Sequence, residues 1–187
     1  IVNPADLHEI IGQPPVGCEA HLEQAVLAAR EAFRTWRGTS DKERSSACIA
    51  IAQVLSRHSE ELATLLTAEQ GKPLEGFGSR FEIQGCIAWS EYAANQTIQD
   101  KVLEDSEQNK ISQLRRPLGV VASITPWNWP LLLALAHILP GIRTGNTVVI
   151  KPSPYTPLST LRMIQLVSEV LPAGIVRDVL GGDHWGG

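Results

Sequence analysis

A chain of 187 residues is long enough for one ordinary domain with a sizeable core. Its formal net charge is −4 with acidic and basic residues interspersed, which leaves no electrostatic footprint for nucleic acid or an anionic membrane. The longest apolar stretch, 130–142, is broken by His137 and Pro140 and falls short of a membrane span. Cys18, Cys48 and Cys86 are too widely spaced for a metal-ligand set or a disulfide framework, and no signal or transit segment is visible, so the expected setting is cytoplasmic.

Residues 1–98 read as mainly helical. Leu22, Ala25, Val26, Ala29, Phe33 and Trp36 form one apolar stripe. Ser40 and Glu43 make a capping-box pattern for a second helix with Ala47, Ile51, Val54 and Leu55 inward. Leu62, Leu65 and Leu66 belong to a third, stopped by Gly71, and Phe77, Phe81, Gly85, Ala88 and Tyr92 mark the inner face of a fourth. Cys48 and Cys86 lie within these runs as small core residues, and Cys18 follows Gly17 in a loop. Such stripes are packing. From 99 to 116 the pattern changes to short extended runs about a polar turn at Glu104–Asn109, which predicts a β-hairpin on the surface.

Residues 117–187 carry the most information. Val/Ile-rich 119–125, bounded by Gly119 and Pro126, predicts a strand buried on both faces. Pro130 suits a first helical position, and Leu131, Leu132, Leu133, Leu135, Ile138 and Leu139 leave its helix almost no polar face before Pro140 and Gly141 end or kink it. After a turn at Gly145 and Asn146, Val148–Ile150 predict a buried strand with Lys151 at its carboxyl end. Thr156 is positioned to cap a further helix that begins at Pro157, carries Leu158, Leu161, Ile164, Val167, Val170 and Leu171, and stops at Pro172 and Gly174. Ile175–Leu180 predict another strand. Strand, helix, strand, helix, strand is the first half of a doubly wound, Rossmann-like α/β sheet, in which ligands bind beyond the carboxyl ends of the strands. Those ends carry PWNWP at 126–130, KPSPYTP at 151–157 and GGDHWGG at 181–187. No G-x-G-x-x-G follows the first strand, so a dinucleotide would need another arrangement.

Two residues stand out chemically. Asn128, between Trp127 and Trp129 and flanked by Pro126 and Pro130, has a side-chain NH2 suited to a preorganised oxyanion donor, or alternatively to capping the helix that follows. Lys151 should emerge at the ligand-binding edge, where it can donate to hydroxyls or stand solvated.

The ordered set VNPAD (2–6), AAREAFRTW (28–36), EQGKPL (69–74), PLGVVASITPWNWPL (117–131), GNTVVIKPSPYTPL (145–158) and LPAGIVRDVLGGD (171–183) resembles the NAD(P)-dependent aldehyde dehydrogenase superfamily over essentially the whole chain. The resemblance implies an aldehyde dehydrogenase-like fold and oxidation of a small-molecule aldehyde to a carboxylic acid with NAD or NADP. It implies an oxyanion-stabilising role for Asn128. Lys151 would bind the adenosine ribose, Pro152, Ser153 and Pro154 would line its pocket, and Ile124, Thr125, Pro126 and Trp127 would wall the cofactor. The 99–116 hairpin would help assemble a homodimer or homotetramer. Members are more than twice as long, and their nucleophilic Cys, general-base Glu and cofactor-binding glycine turn lie further along. The chain is therefore expected to be an inactive fragment, containing the helices and half of the cofactor sheet but not the catalytic domain. The alternative is a noncatalytic nucleotide-binding module or assembly partner.

Two positions depart from the family pattern. Pro154 stands where many members have a Glu that accepts ribose hydroxyls, which opens the cofactor choice. His137 stands where many have a Lys thought to relay protons; it can serve as a relay or be a satisfied core residue.

Overall fold

The computed structural model describes residues 1–181. The chain opens with a small antiparallel pair, β1 (Val2–Asn3) and β2 (Asp6–Ile10), which the sequence pattern does not announce because no residue of β2 is buried. Four helices follow: α1 (Glu19–Trp36), α2 (Asp41–Arg57), α3 (Ser59–Gln70) and α4 (Ser79–Ala94). At α2 the expected capping box forms, with Ser40 Oγ accepting from Glu43 N and the Glu43 carboxylate accepting from Ser40 N. Gly71 ends α3 in the left-handed conformation, φ 75°.

The inner face of α4 differs from the expected one. Phe77, Phe81, Ala88 and Tyr92 are exposed, and the buried positions are Ser79, Glu82, Ile83, Cys86, Ser90, Ala93 and Ala94. The apolar stripe misleads because the buried stripe contains polar residues with partners elsewhere in the fold. Leu22 on α1 is likewise exposed, leaving Ala25, Ala29 and Trp36 as that helix's buried contacts.

The hairpin forms as expected from β3 (Lys101–Asp105) and β4 (Lys110–Gln113), every residue of it exposed. Beyond it, β5 (Val120–Ile124), α5 (Pro130–Arg143), β6 (Thr147–Lys151), α6 (Pro157–Val170) and β7 (Val176–Asp178) build a parallel sheet in the order β5-β6-β7. Alternation along β6 assigns its faces. Val149 joins Ala25 and Ala29 of α1, while Val148 and Ile150 enter the larger core with α2 to α6. Thr147 Oγ1 donates to Ala29 O at 3.0 Å, and Trp36 Nε1 donates to Ile142 O at 3.0 Å, so α1 is tied to the sheet and to α5.

Three further expectations need correction. β5 is not buried on both faces: among the described residues it pairs only with β6, and Ile124 is 60% exposed. Helix α5 does not end at Pro140 but runs through it to Arg143; Pro140 lies on the exposed side, where water can satisfy the carbonyl left without its N–H partner. Gly141 is required there by packing, since a Cβ would come within 2.7 Å of Val148 Cγ2. Thr156 occupies the N-cap position of α6, yet its hydroxyl makes no cap bond. Positions 182–187 of the glycine-rich tail lie outside the described residues.

Candidate cofactor and oxyanion site

The site forms where β5 and β6 end together. Ile124 pairs with Lys151 in register, and Thr125 N donates to Lys151 O at 3.1 Å, so the loops that follow the two strands start side by side. Lys151 is half-buried, and its ammonium has no hydrogen-bond partner among the described residues. Pro152 and Ser153 are buried, Pro154 is exposed, and Ser153 Oγ accepts from Tyr155 N at 3.3 Å. The hydroxyls of Thr125 and Thr156 are buried without a partner among the described residues. Polar atoms without partners on the loops that follow β5 and β6 fit a hydroxyl-rich ligand better than an apolar one.

Pro126, Trp127 and Asn128 form an exposed loop. Two side chains at the carboxyl end of α3, Gln70 as its last residue and Lys72 just past Gly71, hold its carbonyls. Gln70 Nε2 donates to Trp127 O at 2.6 Å and to Asn128 O at 3.1 Å, and Lys72 Nζ donates to Asn128 O at 2.9 Å. Lys72 also pairs with Glu82 Oε2 at 2.5 Å and lies over the Trp129 ring, 4.2 Å from its centroid. Phe81 meets Trp129 edge-on with centroids 6.0 Å apart.

The first turn of α5 settles which residue caps it. Pro130 has no N–H, Leu133 N donates to Trp129 O, and Leu131 N and Leu132 N both donate to Glu82 Oε1, at 2.9 and 3.1 Å. Glu82, fully buried on α4, performs the capping that Asn128 could have done. The Asn128 side chain makes no hydrogen bond among the described residues, and the residue is exposed.

The amino end of α6 is held the same way. Leu158 N donates to Glu69 Oε1 at 2.5 Å and Ser159 N to Glu69 Oε2 at 3.0 Å, with Ser159 Oγ donating to the same oxygen. Burial pushes the Glu69 carboxyl above its ordinary value, and the bonds from Ser159 and Leu158 oppose that shift. In many doubly wound sheets a helix N-terminus takes a dinucleotide's phosphates. Here both such ends already hold a buried carboxylate, so a dinucleotide's pyrophosphate would have to be held by other groups.

His137 is not a core residue. It is exposed on α5, and its Nδ1 shares a 2.6 Å hydrogen bond with Ser123 Oγ of β5. Sequence reasoning missed Glu69, Gln70, Lys72 and Glu82. The signal available for three of them was the EQGKP run, polar residues packed about a helix-ending glycine. Glu82 gave none, because its partners lie 49 and 50 residues away.

The profile of the Aldehyde dehydrogenase family matches residues 1–187. The chain belongs to that family. It is 34% identical over 183 residues to 3-sulfolactaldehyde dehydrogenase of Pseudomonas putida, covering 97% of this chain and 37% of the relative. It is 34% identical over 184 residues to 1-pyrroline-5-carboxylate dehydrogenase 2 of Bacillus subtilis, covering 96% of this chain and 35% of that one. The fold superposes on betaine aldehyde dehydrogenase from Staphylococcus aureus in complex with NAD+ with a TM-score of 0.91 at 34% identity, covering 98% of this chain and 37% of the other. A glyceraldehyde-3-phosphate dehydrogenase from Methanocaldococcus jannaschii complexed with NADP matches with a TM-score of 0.90 at 27% identity, covering 98% and 41%. The chain thus spans well under half the length of these relatives. Its α/β architecture is the amino-terminal, Rossmann-like part of the aldehyde dehydrogenase fold. Among the described residues no helix is long and apolar enough to cross a membrane.

Proposed function

We propose that this chain supplies the helical layer and the first half of the cofactor sheet of an NAD(P)-dependent aldehyde dehydrogenase, and that within a longer polypeptide it serves oxidation of an aldehyde to a carboxylic acid. The observation that carries this reading is the uncommitted amide of Asn128 on a loop whose Trp127 and Asn128 carbonyls, and whose following helix, are held by other residues. A donor held in this way suits the developing oxyanion of a thiohemiacetal formed on a cysteine elsewhere in the polypeptide, and its collapse to a thioester. That cysteine is neither Cys48 nor Cys86. Both are buried, and burial pushes the Cys48 thiol up to about 11 and the Cys86 thiol well above its ordinary value.

A bound nicotinamide cofactor would accept the hydride. Lys151 would hold the adenosine ribose through donors at the end of β6, with Pro152 to Pro154 beneath it and Ile124 to Trp127 along its length. Support for this placement comes from the paired strand ends and the unpartnered hydroxyls of Thr125 and Thr156. His137, held by Ser123, would relay protons at the exposed side of α5. The hairpin presents Val102, Leu103, Ile111 and Leu114 to the outside, a surface suited to assembling a homodimer or homotetramer. We place the protein in the cytoplasm, with no nucleic-acid or membrane partner, and expect these 187 residues alone to be inactive.

Cofactor titration tests the reading. Charge-assisted hydrogen bonds are worth about 1.5–3 kcal/mol, so Lys151→Met in the intact polypeptide should raise the Kd for NAD or NADP by roughly ten- to a hundredfold. Asn128→Ala should leave that Kd unchanged. Equal cofactor affinity in wild type and Lys151→Met would remove Lys151 from the site.

A further inference from the structure

We propose that Gln70, Lys72 and Glu82 are positioning residues for the oxyanion donor: they form a clasp that fixes the Trp127–Asn128 backbone from behind and leaves the Asn128 amide free for substrate. This inference rests on the oxyanion reading of Asn128.

The geometry is specific about what each member does. The left-handed turn at Gly71 separates Gln70 from Lys72 and lets both side chains address the same loop. Gln70 stands between two carbonyls, and both can only accept, so its amide donates to each; its own oxygen is left buried without a partner among the described residues. Lys72 links the two halves of the device. Its ammonium donates to Asn128 O, is matched in charge by Glu82, and lies over the face of the Trp129 ring. Glu82 uses the oxygen not engaged by Lys72 to take the first two free N–H groups of α5.

Asn128 is therefore bracketed. Its own carbonyl is held on one side, and the helix starting two residues later is anchored on the other, by side chains that touch each other. A loop Asn two residues before a helix has the free N–H groups of the first turn within reach as competing partners. Glu82 removes that competition by satisfying them. A displacement of about 1 Å at a group acting on the reacting atoms can cost on the order of a hundredfold in rate, so a clasp that prevents it affects chemistry without touching substrate.

The experiment is a double-mutant cycle in the intact polypeptide, read as the single-turnover rate of NAD(P)H formation at saturating cofactor and aldehyde. Lys72→Met should lower that rate on the order of tenfold or more with cofactor Kd unchanged, and Lys72→Arg should restore most of it. In an Asn128→Ala background Lys72→Met should cost less than about twofold, because the group it positions is already gone. Gln70→Ala, which spares the buried pair, is the second variant and should show the same dependence on Asn128 with a smaller loss. Additive losses in the two backgrounds, or an unchanged rate in both Lys72→Met and Gln70→Ala while Asn128→Ala falls, would overturn the clasp and leave the oxyanion reading standing. An undiminished rate in Asn128→Ala would overturn both.

Discussion

Truncating Glu82 should destabilise this fold severely. The carboxylate is fully buried, pairs with Lys72 at 2.5 Å and accepts from Leu131 N and Leu132 N at 2.9 and 3.1 Å. Breaking a buried ion pair from one side typically costs about 3–5 kcal/mol, and the two backbone bonds overlap with that figure rather than adding to it in full. Lys72 retains its bond to Asn128 O and 10% side-chain exposure, so some of its lost solvation can be recovered. We expect about 3–5 kcal/mol for Glu82→Ala, a large share of a typical folding free energy of roughly 5–15 kcal/mol. Glu82→Gln keeps a carbonyl oxygen for the helix N–H groups but sets an NH2 where Oε2 accepted from Lys72, losing the charge and that hydrogen bond, so it should cost roughly 1–3 kcal/mol. Urea unfolding of the 187-residue chain, followed by tryptophan fluorescence, separates the two. With a slope of about 2 kcal/mol per molar urea, the midpoint should fall by roughly 1.5–2.5 M for Glu82→Ala and by roughly 0.5–1.5 M for Glu82→Gln. A Glu82→Ala midpoint within about 0.3 M of wild type would refute the reasoning, because a buried, triply engaged carboxylate cannot be dispensable.

Other outcomes follow from charge and burial. Pro154 has neither an acceptor nor a negative charge to repel a 2′-phosphate, and Lys151 stands nearby in the sequence. The intact polypeptide should therefore accept NADP, and Pro154→Glu should weaken NADP selectively; strict NAD use by wild type, or equal losses for both cofactors in titrations, would defeat this. In the native chain a thiol reagent at neutral pH should modify Cys18, which is exposed, and spare Cys48 and Cys86 until urea is added; labelling of all three would contradict the core packing. Asp41 is held below the ordinary carboxyl range chiefly by its hydrogen bond from the buried Arg143. A lowered folded-state pKa contributes stability that is present above the ordinary Asp value and lost as pH falls through the folded one. The difference in unfolding midpoint between wild type and Asp41→Asn should accordingly shrink as pH falls below about 4. A difference constant with pH would place the contribution of Asp41 outside its charge.

The succession of strands and helices and the place of Lys151 at the end of β6 were legible because the signals are local: Val/Ile runs, Pro130 and Pro157 at helix starts, Gly145 at a turn. Where the signal was not local, the pattern misled. Phe77, Phe81 and Tyr92 suggested one face of α4, but the fold buries the opposite one, with Glu82, Ser79 and Ser90 on it. A carboxylate reads as a solvated residue until its partners are known, and Lys72, Leu131 and Leu132 become its partners only through tertiary structure. The same holds for Glu69, which takes over the capping that Thr156 was positioned to provide. Asn128 could be singled out from its neighbours in sequence, but its freedom from capping could not, since that depends on Glu82.

We propose that Asn128 stabilises an oxyanion, and this is measured most directly by the single-turnover rate of hydride transfer in the intact polypeptide with and without its amide. Losing one oxyanion donor costs about 2.7–4 kcal/mol, so Asn128→Ala at saturating cofactor and aldehyde should be slower by on the order of a hundredfold to a thousandfold, with cofactor Kd unchanged. An Asn128→Ala enzyme that transfers hydride at the wild-type rate would contradict the account and assign the residue to loop structure.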